Sequence, residues 1–265
     1  MAVEKDANEL QNGYATSHRV YEICGMTGTA IVGSWLLFRI VSAQQVSGWW
    51  LPLAALVGIL ASDFASGFVH WMFDTWGSVD TPVVGRLAIR TFRHHHVDAK
   101  AITRHDFIET NGHNVSLSFP VVLLGVLVVR PATATLLEVF IGMALLSLAL
   151  FNGSTSQIHK WAHTDNPPAL VRLLQRARLI IAPEHHSAHH AAPYTRSYCI
   201  TVGWLNAPLR AVRFFETLER IVTWTTGAVP REDDLGADAA LQLVASERTS
   251  DTDVEPAPAP LAVRE

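Results

Sequence analysis

The stretch Pro183-Glu184-His185-His186-Ser187-Ala188-His189-His190 places four histidines within six residues. A neutral imidazole offers a nitrogen lone pair without adding charge, which makes histidine the commonest metal ligand. Taken alone, the run also fits a polar His-rich loop or a nonspecific surface patch. Three further groups narrow the reading: His94-His95-His96, His159 with His163, and His70, each beside a hydrophobic segment or a tryptophan. His70, His95, His96, His159, His163, His186, His189 and His190 could all reach one cavity, with His94, His105, His113 and His185 as extras. Catalytic zinc takes three protein ligands and structural zinc four, so eight ligands exceed one ion and suit two. Cys24 and Cys199 lie far apart without CxxC spacing, so nitrogen and oxygen must do the holding. Two adjacent ions in a nitrogen-rich shell fit a non-haem di-iron centre that activates dioxygen. An alkyl chain is the matching substrate, because acid–base chemistry alone does not break an unactivated C–H bond.

These ligands must be positioned by elements of a membrane protein. Hydrophobic residues make up 49% of the 265-residue chain and charged residues 17%, against roughly 25% charged in soluble domains. Mean hydropathy is +0.21. The net charge of -4 gives no basic field for nucleic acid. Residues 1–19 are polar and mixed in charge, unlike a cleaved secretory signal. Four apolar runs approach the length of about 20 residues that a helical span needs: Ile23 to Val41, Trp49 to Phe73, Val115 to Val129, and Thr133 to Gly153. The third is short and holds Pro120, so a tilted or partly re-entrant passage is the alternative there. If all four cross, every Lys and Arg except Arg39 and Arg130 falls on one face, which the positive-inside rule makes cytoplasmic. Every histidine falls on that face too. The expected fold is an all-α integral membrane protein of about four transmembrane helices with a cytoplasmic, His-rich helical cap.

Spacing refines the placement. Asp63, Gly67, His70 and Asp74 follow i, i+4, i+7, i+11 and share one helix face, and ionisable groups within a span are functional candidates by default. For Asp63 a helix-packing hydrogen bond is the equal alternative. Asn152, Ser156, His159 and His163 repeat the pattern, and the i, i+4 histidines can converge on one ion. Ala169 to Ile181 and Ala207 to Trp224 each set apolar residues against arginines. Either could lie in the headgroup plane or pack as an ordinary soluble helix. From Arg231 the composition turns to Asp, Glu, Ala, Pro, Ser and Thr, which predicts a disordered tail with at most a short helix at Asp238 to Ser246. The expected organisation is an N-terminal cytoplasmic arm over 1–20, a membrane domain over 21–230 and the tail over 231–265.

HxxHH at His186 to His190 and HxxxH at His159 to His163 resemble the histidine boxes of integral-membrane desaturases and hydroxylases. A more specific likeness runs through Asp63 to Gly77, Phe92 to Asp98, Ala101 to Gly112, Gln157 to His163 and His185 to Asn206. Over about residues 55 to 235 these stretches look like the Kua-type plasmanylethanolamine desaturase family, bacterial CarF-like proteins among them. The resemblance implies O2-dependent formation of the vinyl-ether double bond in the sn-1 alkyl chain of ether phospholipids, which yields plasmalogens. It implies two iron ions and an external electron donor of cytochrome b5 or ferredoxin type. It assigns the metal to His70, His95, His96, His159, His163, His186, His189 and His190. His105, His185, Asp74 and Asp98 are left as outer-layer groups or additional ligands. His94 and His113 stand where relatives carry acidic residues, so the resemblance leaves both out. Glu109 and Asn111 are candidates to orient imidazoles or bind headgroup. Arg93 and Arg104 are candidates for the lipid phosphate, with positive-inside topology the plainer explanation of both. The implied setting is a bacterial inner membrane with the histidines on the cytoplasmic side. A lipid or carotenoid hydroxylase using the same boxes, or a non-catalytic zinc-binding membrane sensor, are the competing readings.

Overall fold

A computed structural model of the chain describes residues 16–43, 48–191 and 193–231. Most of the expected N-terminal arm and the possible helix at Asp238 to Ser246 lie outside the described residues, as does the expected tail beyond Arg231. The described residues are helical, with no β-strand among them. In chain order the helices are α1 (Thr16–Val41), α2 (Trp50–Thr75), α3 (Arg90–Val97), α4 (Phe107–Leu117), α5 (Phe119–Val128), α6 (Leu136–Ala162), α7 (Ala169–Arg176), α8 (Pro183–Ser187), α9 (Asn206–Ala211) and α10 (Phe214–Thr226). A π-helical turn, Gly85–Ile89, leads into α3. Four stretches are long and apolar enough to cross a membrane: α1, α2, α4 with α5, and α6.

The third of these differs from the expectation. It begins at Phe107 rather than Val115 and covers 22 residues, long and apolar enough to cross. Hydropathy hides its first half, because Glu109, Asn111, His113 and Asn114 are polar. Two of these find partners on α6: Asn111 donates to Gln157 at 3.1 Å and Asn114 to Ser156 at 2.8 Å. Such bonds between helices let polar residues sit inside a span. Asp106 starts α4 by accepting from the amides of Ile108 and Glu109. The break at Ser118 follows from Pro120, which has no amide hydrogen to continue the ladder.

Helices α2 and α6 form the tightest pair. A Cβ added at Gly58 would lie 2.1 Å from the carbonyl oxygen of Ala144, so the two backbones touch there. Leu36 and Ile40 of α1, Val122 of α5, Val129 beyond it and Val139 and Leu146 of α6 build the apolar core of the bundle. A Thr135–Glu138 capping box starts α6. The chain then runs unbroken to Ala162, so the last turn of a spanning helix carries chemistry.

Beyond α6 the two expected amphipathic segments are shorter than the sequence predicts. Arg178 takes a left-handed φ of 56°, which ends the first well before Ile181. Ile180 and Ile181 instead pack with Ile158 and Ile200. The second is split into α9 and α10 by Arg213, whose φ is 50°. Trp71, Tyr198 and Phe215 form a third apolar cluster, joining α10 to the end of α2. Arg231, the first residue of the expected tail, is 1% exposed and part of the folded body.

Candidate metal centre

The elements sort the ligands into two groups. His95, His159, His163, His186 and His190 form one, and His70, Asp74, His96 and His189 the other. Within each, one donor atom per residue lies within 4.8 Å of all the rest. Helix α6 serves only the first group through His159 and His163, and α2 only the second through His70 and Asp74. The i, i+4 spacing puts both members of each pair on one face. Two segments straddle the groups. His95 and His96 are neighbours on α3, about 100° apart around the axis, so one faces each group. Helix α8 and the turn after it do the same, with His186 and His190 in the first group and His189 in the second. Straddling by two short segments keeps the groups adjacent: the ring centroids of His70 and His159 are 6.2 Å apart.

In the first group the Nε2 atoms of His159, His163 and His186 form a triangle with sides of 2.8, 3.1 and 2.9 Å, and His190 Nε2 lies 3.0 Å from that of His186. Three imidazoles cannot all satisfy one another at such a point, since each nitrogen either donates or accepts. Nitrogens spaced this way match neighbouring ligands of one ion at metal–nitrogen distances of about 2.0–2.1 Å. In the second group Asp74 Oδ2 lies 3.3 Å from Nε2 of His70, 3.3 Å from that of His189 and 3.6 Å from that of His96. Both carboxylate oxygens are buried without a hydrogen-bond donor. A buried carboxylate in that state is costly unless a cation completes it. Both groups therefore fit a metal ion. Neither contains a thiolate: Cys24 is exposed on α1, and Cys199 is buried with its thiol pushed up by burial.

The electrostatics keep the imidazoles outside the spans in their ligating form. Burial, reinforced by the repulsion the crowded imidazoles would exert on one another if charged, pushes His95 and His96 down to about 2, His190 to about 3 and His163 to about 4, and carries His186 well down. A neutral imidazole presents a lone pair, a charged one does not.

A second layer fixes the rings. His70 Nδ1 lies 3.2 Å from the carbonyl oxygen of Tyr198, and His189 Nδ1 lies 3.0 Å from that of Arg196. Each Nδ1–H donating to a carbonyl leaves Nε2 free to face the metal position. The segment supplying the Tyr198 carbonyl is itself fastened. Asp63 Oδ1 accepts from the amides of Val202 and Gly203 at 2.9 and 2.8 Å, and Oδ2 from Leu205 at 3.0 Å. Asn206 brackets Cys199, accepting from its amide at 2.9 Å and donating to its carbonyl at 2.8 Å. At Gly67 the segment meets α2 so closely that an added Cβ would lie 2.4 Å from Cys199 Sγ. The packing alternative for Asp63 is thus what the structure displays.

All eight histidines singled out by sequence are gathered here, and Asp74 joins them as a candidate ligand. His105 and His185 are not in either group. His105 Nδ1 lies 3.7 Å from Glu109, and His185 Nε2 is 3.3 Å from the Asn206 amide nitrogen. His94 and His113 also stay out. Asp98 pairs with Arg104 at 2.5 Å on the surface, which holds its carboxyl below the usual range. Arg93 is buried on α3. Sequence reasoning passed over Tyr194, whose ring stacks on His96 at 4.2 Å and 8°. It also passed over Glu219 and Arg231.

Four helices long and apolar enough to cross a membrane, joined to two adjacent His-rich groups that could each hold a metal ion, define the architecture, and the chain belongs to the lipid desaturase domain family, whose match covers residues 59–233. Among its relatives, plasmanylethanolamine desaturase of Myxococcus xanthus is 47% identical over 251 residues, 95% of this chain and 88% of that protein. Plasmanylethanolamine desaturase 1 of Mus musculus is 39% identical over 86% of each chain. Chloroplastic fatty acid desaturase 4 of Arabidopsis thaliana is 34% identical over 68% of this chain and 54% of its own. No solved structure matches.

Proposed function

We propose that this protein is a plasmanylethanolamine desaturase. The reading rests on one conjunction: two adjacent ligand groups within a chain 47% identical, over 95% of its length, to a relative of that name. The reaction removes two hydrogens from neighbouring carbons of the sn-1 alkyl chain, next to the ether oxygen. Two electrons from an external donor, two protons and those two hydrogens convert one O2 to two waters. His95, His159, His163, His186 and His190 would hold one iron ion and His70, Asp74, His96 and His189 the other, and the pair would supply the oxidising chemistry. The remaining work belongs to the protein. Burial keeps the imidazoles neutral, and the carbonyls of Tyr198 and Arg196 fix the Nδ1 protons so that Nε2 points inward. Ligands on the last turns of α2 and α6 set the oxidising position at the membrane surface, where a lipid keeps its headgroup wet while its chain stays in apolar surroundings.

The electron donor is a cytochrome b5- or ferredoxin-type protein. The site faces the cytoplasm from a bacterial inner membrane, as the positive-inside distribution of Lys and Arg favours. The membrane domain extends from residue 21 to Arg231, one residue past the boundary expected from composition. The test is lipid analysis of a plasmalogen-free host that supplies alkyl ether phospholipids. Acid-labile vinyl-ether lipids should appear with the wild type and vanish with His186→Ala. Hydroxylated chains in their place would favour the hydroxylase reading, and bound zinc without O2 consumption the sensor reading.

A further inference from the structure

A heavily bonded buried charge pair lies outside both ligand groups. Arg231 Nη1 donates to Glu219 Oε2 at 3.0 Å and Nη2 to Oε1 at 2.6 Å, the two-pronged geometry a guanidinium makes with a carboxylate. Trp71 Nε1 donates to the same Oε1 at 2.9 Å. Arg231 Nη2 also reaches the hydroxyl of Tyr198 at 3.3 Å, and the Arg231 amide donates to the carbonyl of Thr75 at 2.7 Å. Arg231, Glu219 and Tyr198 are 1%, 4% and 1% exposed. The chain reaches this point by leaving α10 at Gly227, where φ is 74°, and folding back onto the end of α2.

Every anchor of this cluster adjoins the second ligand group and none adjoins the first. Thr75 follows Asp74. Trp71 follows His70. Tyr198 carries at one end the hydroxyl that Arg231 holds, and at the other the carbonyl opposite His70 Nδ1. Its ring centroid is 5.5 Å from that of His189. Arg231 and Glu219 offer no donor atom to either group, so the cluster answers a different need: α2 and the segment around Tyr198 come from distant parts of the sequence and must be kept in register.

We propose that Arg231, with Glu219 and Tyr198, forms a positioning clamp that sets the affinity of the metal position of His70, Asp74, His96 and His189 while leaving the other unaffected. The proposal rests on the two-metal reading above. It is tested on the full chain in detergent, stripped of metal and titrated with Co2+, whose visible absorption reports each equivalent bound. The variants are Arg231→Met with Glu219→Leu, which removes both buried charges together, and Arg231→Lys, which keeps the charge but not the two-pronged geometry. His163→Ala marks the other position.

The wild type should bind two equivalents. In the double variant one should weaken about tenfold or more, the usual scale for losing an outer partner, with the other unchanged. Adding His163→Ala should then leave no tight equivalent. Arg231→Lys should weaken the same equivalent, and it decides the matter where the double variant does not fold. Two equivalents retained at wild-type affinity, or both weakened alike, would overturn the clamp and leave the two-metal reading standing. Fewer than two equivalents in the wild type would overturn that reading and the clamp with it.

Discussion

Asp63→Ala should destabilise the protein severely without touching a ligand. The Asp63 side chain is fully buried and accepts three backbone N–H groups, those of Val202, Gly203 and Leu205, at 2.8–3.0 Å. Alanine leaves all three donors buried and unpaired. An orphaned buried donor costs about 1–3 kcal/mol, and relaxation of the loop makes the terms less than additive, so the expected loss is about 3–6 kcal/mol. For a chain of this size that corresponds to a fall in melting temperature of roughly 10 °C or more. Asp63→Asn keeps one accepting oxygen and should lose about half as much. The assay is thermal unfolding of the metal-free protein in detergent, followed by circular dichroism. Metal uptake by Asp63→Ala at low temperature should also fall, because the loosened segment carries the carbonyl opposite His70. A transition within 2 °C of the wild type would refute the account of Asp63 as the fastening of this loop.

Gly67→Ala forces a methyl group against Cys199, 2.4 Å from Sγ and 3.2 Å from the amide nitrogen, so it should cost about 1–3 kcal/mol in the same assay; unchanged stability would mean the segment is free to retreat from α2. The pH dependence follows from the imidazoles held low, His163 at about 4 and His190 at about 3. Between the unfolded value near 6.5 and these folded values the unfolded chain binds protons that the folded one does not, so stability falls as pH falls through that window. Metal-stripped protein should therefore melt lower at pH 5 than at pH 7.5, with a smaller difference in His163→Gln; equal melting at both pH values would contradict the buried neutral state. Arg104→Gln breaks an exposed pair with Asp98 and should change stability by less than about 1 kcal/mol. If Arg104 also meets the lipid phosphate, KM for the lipid should rise with kcat unchanged, and an unaltered KM would remove it from substrate binding.

Residue type and short-range spacing carried the site. His70 with Asp74 and His159 with His163 could be paired from i, i+4 spacing alone, and the density at His185 to His190 needed no structure to be noticed. What stayed hidden are relations between distant residues. Glu219 and Trp71 lie 148 positions apart, and no periodicity reports that one accepts from the other. Arg231 stands at the edge of a compositionally polar tail, and only its burial reveals that it belongs to the fold. The third span was read short because hydropathy penalises Asn111 and Asn114 as if they met lipid, whereas α6 satisfies them. The helix expected from Ala207 to Trp224 breaks at Arg213 because of backbone conformation, not sequence pattern.

The distribution of ligands explains why so much of the outer layer is devoted to one segment. Helices α2 and α6 pack backbone to backbone at Gly58, so the ligands they carry share a stiff frame. His186, His189 and His190 come from a five-residue helix and the turn after it, which cannot hold a position by its own hydrogen bonds. Asp63 and Asn206 fasten the chain that follows, while Arg231 and Glu219 tie that chain to the end of α2. Helix α3 poses the same problem in another form. Its eight residues place His95 and His96 in different groups solely through helical rotation. A one-residue shift of α3 would only bring His94 to the place of His95 and His95 to that of His96, whereas a three-residue shift would put Phe92 and Arg93 there and take one histidine out of each group at once. A three-residue insertion in the turn before Arg90 should therefore weaken binding of both Co2+ equivalents, where substitution of either histidine alone weakens one and a one-residue insertion, with His94 moved into register, spares both.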